Sequence, residues 1–244
     1  MFAPGTATHD QPAGDGWTAL WPIAGLRLHA GDFELRTPSD ADLAALAAIY
    51  PADVPFDPSL PTGPGPQAEQ AARAVLRHAW RARAELAPDR WRLCFAAYAD
   101  GELVGQQDLK ATSFPTRRIA ETSSWVGKQF RGRGHGKSMR ALILHLAFEG
   151  LGAVAVESES KEGNDAALGV TRSLGYDPCG DTYVAGAGGV EHRLWSRLTR
   201  ARWSLIHQGY RIGPITVEGL DPARPLLGLP PAGDQSAPAG GSTE

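Results

Sequence analysis

Cysteine is nearly absent. Cys94 and Cys179 are the only two thiols in 244 residues, too few for a disulfide framework or a four-ligand zinc knuckle. They are expected to be reduced thiols of a cytoplasmic protein. No run of about 18 apolar residues occurs, so no membrane-spanning helix and no membrane partner is expected. Residues 1–17 lack a basic start and an apolar stretch and carry Asp10 and Asp15, so they do not read as a signal peptide. Net charge is small, −3, which leaves no bulk positive field to hold nucleic acid. No pair among the seven histidines has ligand spacing, so no metal is expected. There is no internal repeat at a period of about 20–50 residues.

With 42% hydrophobic residues, the chain can bury a core, and wholesale disorder is excluded. The organisation expected is a flexible N-terminal segment (1–20), one domain (21–210), a C-terminal extension (211–229) and a disordered Pro/Gly/Ser/Ala tail (230–244). Within the domain, strand and helix patterns alternate. A short strand, Phe33 to Arg36, precedes a helix capped by Ser39 with acids in its first turn. Six prolines between Pro51 and Pro66 forbid helix and central strand there. An amphipathic helix follows from about Gln67 to Glu85. Strands from Trp91 to Tyr98 and Leu103 to Leu109 flank the hairpin signal Asp100-Gly101. A strand from about Ile119 to Val126 leads through a glycine-rich basic turn into a helix ended by Gly150 and Gly152. Ala153 to Glu159 reads as a strand, Asn164 to Leu174 as a helix, and Tyr176 to Leu198 as a closing hairpin. This is a mixed α/β fold.

The segment richest in chemistry runs from Ser124 to Ser138. Gly132, Gly134 and Gly136 remove Cβ atoms just before a helix, whose exposed amides attract an anion. Lys128, Arg131, Arg133, Lys137 and Arg140 surround the turn without one acid. A phosphate-bearing ligand accounts for that local excess. The dinucleotide fingerprint needs Gly-x-Gly-x-x-Gly, which the spacing 132, 134, 136 does not supply, and a Walker A loop would need glycine where Arg131 stands.

The turn Arg131-Gly132-Arg133-Gly134-His135-Gly136 instead resembles the R/Q-x-x-G-x-G/A signature of the Gcn5-related N-acetyltransferase (GNAT) superfamily. Asn164 and the helix end Leu174-Gly175-Tyr176 follow at the family's spacing. Trp203 is similar to the ending of its ribosomal-protein N-acetyltransferase branch. The resemblance covers about Leu26 to Trp203. It implies a GNAT fold, with a mixed, mostly antiparallel seven-stranded sheet, a V-shaped split and flanking helices. The V would open between the strands ending near Val126 and Glu159 and would take acetyl-CoA or another acyl-CoA. Its pyrophosphate would sit on amides from Arg131 through Gly132, Arg133, Gly134, His135 and Gly136 to Lys137. Its pantetheine would pair with backbone at Trp125, Val126 and Gly127 and meet Asn164. A non-metal N-acyltransferase acting on a small-molecule or peptide amine follows, as monomer or homodimer. The alternatives are a carrier-protein or aminoacyl-tRNA donor, a CoA-binding module without catalysis, and a nucleotide-binding regulator.

Acyl transfer to an amine needs a proton acceptor and an acid for the departing thiolate. Glu157 and Glu159 share a strand face at the mouth of the V, and Glu159 is the first-choice base, with Glu121 on the adjacent strand second. The family's usual acid is a tyrosine seven residues after the asparagine, and here that position is Thr171, which, or else water, is the candidate to assist thiolate departure. The ribosomal-protein branch often has serine three residues after it, and here Ala167 stands there. His135 is expected to pack or to lie beside the phosphate. Acceptor recognition is expected from Asp53, Phe56 and Trp80.

Overall fold

The computed structural model describes residues 16–56, 59–186, 189–206 and 213–231. The expectations placed on 1–15 and on the tail from 232 onward lie outside these residues. Within them the chain runs α1 (Gly16–Leu20), β1 (Arg27–Ala30), β2 (Phe33–Arg36), α2 (Asp40–Ile49), α3 (Gln67–Ala84), β3 (Arg90–Ala99), β4 (Glu102–Thr112), α4 (Phe114–Arg117) and β5 (Ile119–Val126). It continues through α5 (His135–His145), a π-helical turn Leu146–Gly150, β6 (Ala155–Lys161), α6 (Asp165–Ser173), β7 (Asp177–Gly186), β8 (Gly189–Thr199), α7 (Arg200–Ile206), β9 (Thr216–Glu218) and α8 (Leu220–Ala223).

These strands form one sheet in the order β7-β8-β6-β5-β4-β3-β2-β1-β9. Only β5 and β6 are parallel. The sheet has nine strands among the described residues where seven were expected. The extra two are β1 and β9, which pair with each other. Four and three residues long, they are too short to show a period-2 pattern. The segment expected as an extension outside the domain thus supplies β9, and Ala223, Leu227 and Leu229 of the same stretch are buried in the main core. Residues 16–20, expected to be flexible, include the short helix α1.

Alternation along the strands divides two cores between the two faces. Leu93, Phe95 and Ala97 of β3 face α5, with Met139, Leu142, Ile143 and Leu146 packed against them. Ala96 and Tyr98 face the opposite way, toward Leu43 and Leu46 of α2 and Val75 and Ala79 of α3. Ser39 caps α2 in a reciprocal box with Asp42, and Asp42 then accepts from Arg36 at 3.0 Å and from the Tyr98 hydroxyl. Burial first, and then the charge it meets at Asp42, pushes the Tyr98 hydroxyl up to about 12. That cluster pins α2, and with it the start of the proline-rich loop, onto the sheet.

The β5–β6 ladder is short. It pairs Ile119 with Ala155 and ends at Thr122 opposite Ser158. Beyond it β5 stays bonded to β4 as far as Val126 opposite Gly105, and β6 stays bonded to β8 as far as Lys161. The strands therefore splay, leaving the 123–126 edge of β5 unpaired on its β6 side. A buried guanidinium lies under the split: Arg140 of α5, 6% exposed, donates to Ser158 Oγ at 3.0 Å and to Ser124 Oγ at 3.4 Å.

Candidate active site

The glycine turn closes the split at its wide end. Gly134 is the N-cap of α5 in the left-handed region (φ 86°), with no side chain capping the helix. Lys137 N donates to the Gly134 carbonyl at 2.9 Å, so the His135 and Gly136 amides of the first turn are left to a ligand or to water. A Cβ added at Gly132 or Gly134 meets nothing within 4 Å, so the turn offers bare backbone to solvent. Arg133 and Lys137 are exposed beside it. His135 packs its ring on Phe33 at 6.0 Å and keeps a buried Nδ1 without a hydrogen-bond partner. Asn164 caps α6, its Oδ1 accepting from Ala167 N at 3.2 Å. Bare amides, a cationic surround and an unpaired strand edge fit a phosphate-bearing donor with an amide-bearing arm.

Arg131 is engaged elsewhere. Its guanidinium forms a two-pronged pair with Asp53, at 2.7 and 3.0 Å, and its Nε donates to the Val126 carbonyl. The hydrogen bonds from Arg131, ahead of its charge, hold the Asp53 carboxyl below the ordinary range. Asp53, expected to greet a cationic amine, spends its carboxylate on tying the acceptor loop to the glycine turn.

Beside the split lies a cavity of about 220 Å³, lined by Tyr50, Val54, Phe56, Val75, His78 and Trp125 among others. Phe56 lines it; Trp80 does not. Two residues from His78 on a helix that turns 100° per residue, Trp80 falls on the outer face and is 48% exposed. The cavity wall also includes Gln106, Asp108, Ser123 and Ser124. Thus Ser123, Ser124 and Trp125 belong both to the cavity and to the unpaired edge of β5.

Of the expected catalytic groups, Glu159 is exposed on β6. Carried one rung past its last pair, the β5–β6 register sets Glu159 across the split from Ser123, on the cavity's face of the sheet. Glu121 forms an ion pair with Lys110 at 2.8 Å, and its register partner Glu157 is paired with Arg197. Thr171 departs from expectation. It is buried, and its hydroxyl donates back to Leu168 O at 2.9 Å and Ala167 O at 3.3 Å. That local bonding within α6 occupies the proton an acid would need.

Sequence reasoning missed the most developed polar cluster of the site. Asp108 on β4 is 4% exposed. Its Oδ2 lies 2.6 Å from His78 Nε2 and 3.1 Å from Arg92 Nη1, and its Oδ1 accepts from Gln106 Nε2 at 2.8 Å. Burial alone would raise this carboxyl; the neighbouring His78 first, then Arg92 and the hydrogen bond from Gln106, hold it well below the carboxylate range. Cys94 completes the group, with its sulfur and the His78 and Asp108 ligand atoms within 4.8 Å of one another. Burial and the neighbouring Asp108 charge push the Cys94 thiol well up, so it keeps its proton. A cation would have to share Asp108 with the Arg92 guanidinium, so the cluster suits proton handling better than metal binding. No signal spaced along the chain links residues 78, 92 and 108; only a helix laid over two adjacent strands brings them together.

The sequence profile of the GNAT acetyltransferase domain matches residues 32–177. The chain belongs to this family. It is an acyl-CoA-dependent N-acyltransferase, and acetyl-CoA is the family's donor. Among solved structures, it is similar to Mycobacterium smegmatis RimJ in complex with CoA-disulfide, at 25% identity over 76% of this chain and 95% of that one, TM-score 0.60. RimL, a ribosomal L7/L12 α-N-protein acetyltransferase in complex with coenzyme A, shares the fold at 15% identity, covering 70% and 95%, TM-score 0.54. So does a GNAT-family acetyltransferase from Bacillus anthracis, at 11% identity, 72% and 99% coverage, TM-score 0.55.

Proposed function

We propose that this enzyme acetylates a primary amine carried on an apolar group, either a small arylalkylamine or a peptide N-terminus whose first residue is apolar. One observation carries the reading: the apolar cavity and the open edge of β5 share Ser123, Ser124 and Trp125. An amine in the cavity would meet a thioester lying along that edge, and holding both partners there makes the reaction effectively unimolecular. The amides of the turn between Arg131 and Lys137, whose own amides are taken by backbone carbonyls, would hold the pyrophosphate. The 125–127 backbone and the remaining donor of Asn164 would hold the pantetheine arm. When bound, the donor supplies an acyl carbon activated by its thioester; the chain's own part is to orient, desolvate and move a proton.

The cavity walls are largely apolar, and their one carboxylate among the described residues, Asp108, is already paired with His78 and Arg92. That favours a neutral amine over a polycation. A cavity of about 220 Å³ admits a free amine and the first residue of a peptide equally. A cytoplasmic setting is part of the reading, supported by two cysteines that are both free and by the lack, among the described residues, of any helix long and apolar enough to cross a membrane.

The test is thiol release from acetyl-CoA on mixing with 2-phenylethylamine, a peptide with an N-terminal apolar residue, or spermine. The first two should release CoA thiol stoichiometrically with acetylated product, and spermine should not. Acetyl-CoA binding with no turnover on any of them would refute the reading in favour of a non-catalytic CoA-binding module.

A further inference from the structure

We infer that His78, oriented by Asp108, accepts the amine proton during acyl transfer and returns it to the departing sulfur. The inference rests on the function proposed above and names a proton carrier from α3 instead of the β6 carboxylate that the sequence points to.

The geometry has three parts. First, His78 lines the acceptor cavity, whereas Glu159 is exposed on the far wall of the split and is not among the cavity residues. Second, His78 Nε2 is 2.6 Å from a carboxylate oxygen, which fixes the tautomer: Nε2 carries the proton and donates to Asp108, leaving Nδ1 with the lone pair. Third, register alignment places the pair at the reaction's latitude. Cys94 pairs with Asp108 and Asp108 with Ser123, while Glu159 pairs with Trp195. These residues form one transverse row on the α2/α3 face, with the split between Ser123 and Glu159. A buried Asp under a His at the edge of an acceptor cavity orients the ring and stabilises the imidazolium that forms.

The charges facing His78 are matched in a way that leaves it this role. Around it, β4 contributes Asp108 and Lys110, β3 contributes Arg90, Arg92 and Cys94, and α3 itself contributes Arg81 and Glu85. Lys110 is paired with Glu121 and Arg81 with Glu85. Asp108 alone lies between Arg92 and His78, so one carboxylate accepts from both the guanidinium and the Nε2–H of the ring.

The step balances. The amine nitrogen forms a bond to the thioester carbonyl carbon as the carbonyl π pair moves to oxygen, and the nitrogen's proton passes to His78 Nδ1. The oxygen pair then re-forms the carbonyl, the C–S bond breaks, and His78 returns that proton to the sulfur. Amine plus acetyl thioester become amide plus free thiol, and His78 ends as it began. No separate acid is required, consistent with the engagement of Thr171 within α6.

The test uses the whole chain with acetyl-CoA and 2-phenylethylamine. His78→Gln should lower kcat by about 10²–10⁴-fold, the usual range for a lost proton acceptor, with the acetyl-CoA KM and the acetyl-CoA thermal upshift unchanged. The wild-type pH–rate profile should carry an ionisation that His78→Gln lacks. In His78→Ala, free imidazole should restore part of the rate, which a packing residue would not allow. Asp108→Asn should displace that ionisation and lower kcat with little change in the acetyl-CoA KM, as a positioning residue does. Glu159→Gln should lose far less of kcat than His78→Gln. The inference is overturned if His78→Gln, folded and binding acetyl-CoA, keeps wild-type kcat and pH profile, or if Glu159→Gln shows the large loss instead. A wild type that binds acetyl-CoA yet acetylates no amine overturns the proposed function, and this inference with it.

Discussion

Replacing Gly134 by alanine separates the cost of backbone strain from the loss of a ligand site. Gly134 has φ 86°, where an L-residue is disfavoured by about 1–2 kcal/mol. A Cβ there meets no neighbour within 4 Å, so no steric penalty adds to that figure. For a chain of this size about 2–4 °C of Tm accompanies each kcal/mol, and Gly134→Ala should melt roughly 2–8 °C lower. Gly152 is the control, having φ 75° and equally empty space around its Cβ, but lying at the far end of α5. Gly152→Ala should lose a similar amount. Acetyl-CoA at 100-fold its Kd contributes about 2.7 kcal/mol, hence an upshift of roughly 5–11 °C in wild type and in Gly152→Ala. On the proposed placement of the donor, the new methyl of Gly134→Ala would stand between the pyrophosphate and the α5 amides. If affinity falls about 100-fold, the same concentration contributes only about 0.4 kcal/mol, an upshift of at most roughly 2 °C. Differential scanning fluorimetry on the three proteins, with and without acetyl-CoA, reads all six values. A full upshift in Gly134→Ala refutes the placement of the donor on this turn. An equal loss of upshift in both variants refutes the reasoning that separates strain from binding.

Asp53→Asn frees Arg131, so the acetyl-CoA KM should fall about two- to threefold at low salt and converge with wild type at high salt, where surface charge is screened; a several-fold rise in KM would contradict this. Arg140 is buried with no acid partnering it among the described residues, so Arg140→Met should leave Tm unchanged or raise it while raising the acetyl-CoA KM through loss of the Ser124–Ser158 bridge; a large drop in Tm would show that the guanidinium is needed for folding. Asp108 has a depressed carboxyl, so its stabilisation is full above the unfolded value near 3.9 and is lost only as pH falls through the lower folded value. Asp108→Asn should therefore be destabilised by up to roughly 3–5 kcal/mol at pH 7, with the gap to wild type closing as pH drops below about 4, measured by urea unfolding at a series of pH values.

The elements were legible where local chemistry is strong. Ser39 with acids at 40 and 42, Asp100-Gly101 between two strands, and glycines after a helix each have one physical solution, and the structure adopts it. The left-handed course of the glycine turn was legible for the same reason: φ values of 78° at Gly132 and 86° at Gly134 belong to glycine. Other features were illegible because they exist only in three dimensions. β1 and β9 are too short to carry a period and are stabilised by pairing with each other. Trp80 and Phe56 look equally suited to an acceptor site, and only the direction each faces separates them. Asp53 and Arg131 are 78 positions apart and meet through the path of the proline-rich loop. The His78–Asp108–Arg92 cluster needs α3 laid across β3 and β4 in one register, which no linear spacing encodes.

The distribution of buried polar groups points to the same place as the geometry. Buried polar side chains cost about 1–3 kcal/mol each when their hydrogen bonds are imperfect, and a sheet built for stability alone would avoid them. On β3, next to the site, the residues facing α5 are Leu93, Phe95 and Ala97, as such a sheet requires. On β4, β5 and β6 the pattern changes: Gln106, Gln107, Asp108, Thr122, Ser158 and Ser160 are buried, with Arg140 reaching in from α5. These seven make up most of the buried polar side chains among the described residues, and they border the split on both its faces. Some remain unsatisfied, including Gln107 Oε1 and Arg140 Nε. A fold under no other demand would have replaced them with valine and leucine. Their concentration where two parallel strands part is the expected signature of strands held open for a reacting group, with one wall, through Asp108 and His78, equipped to move a proton.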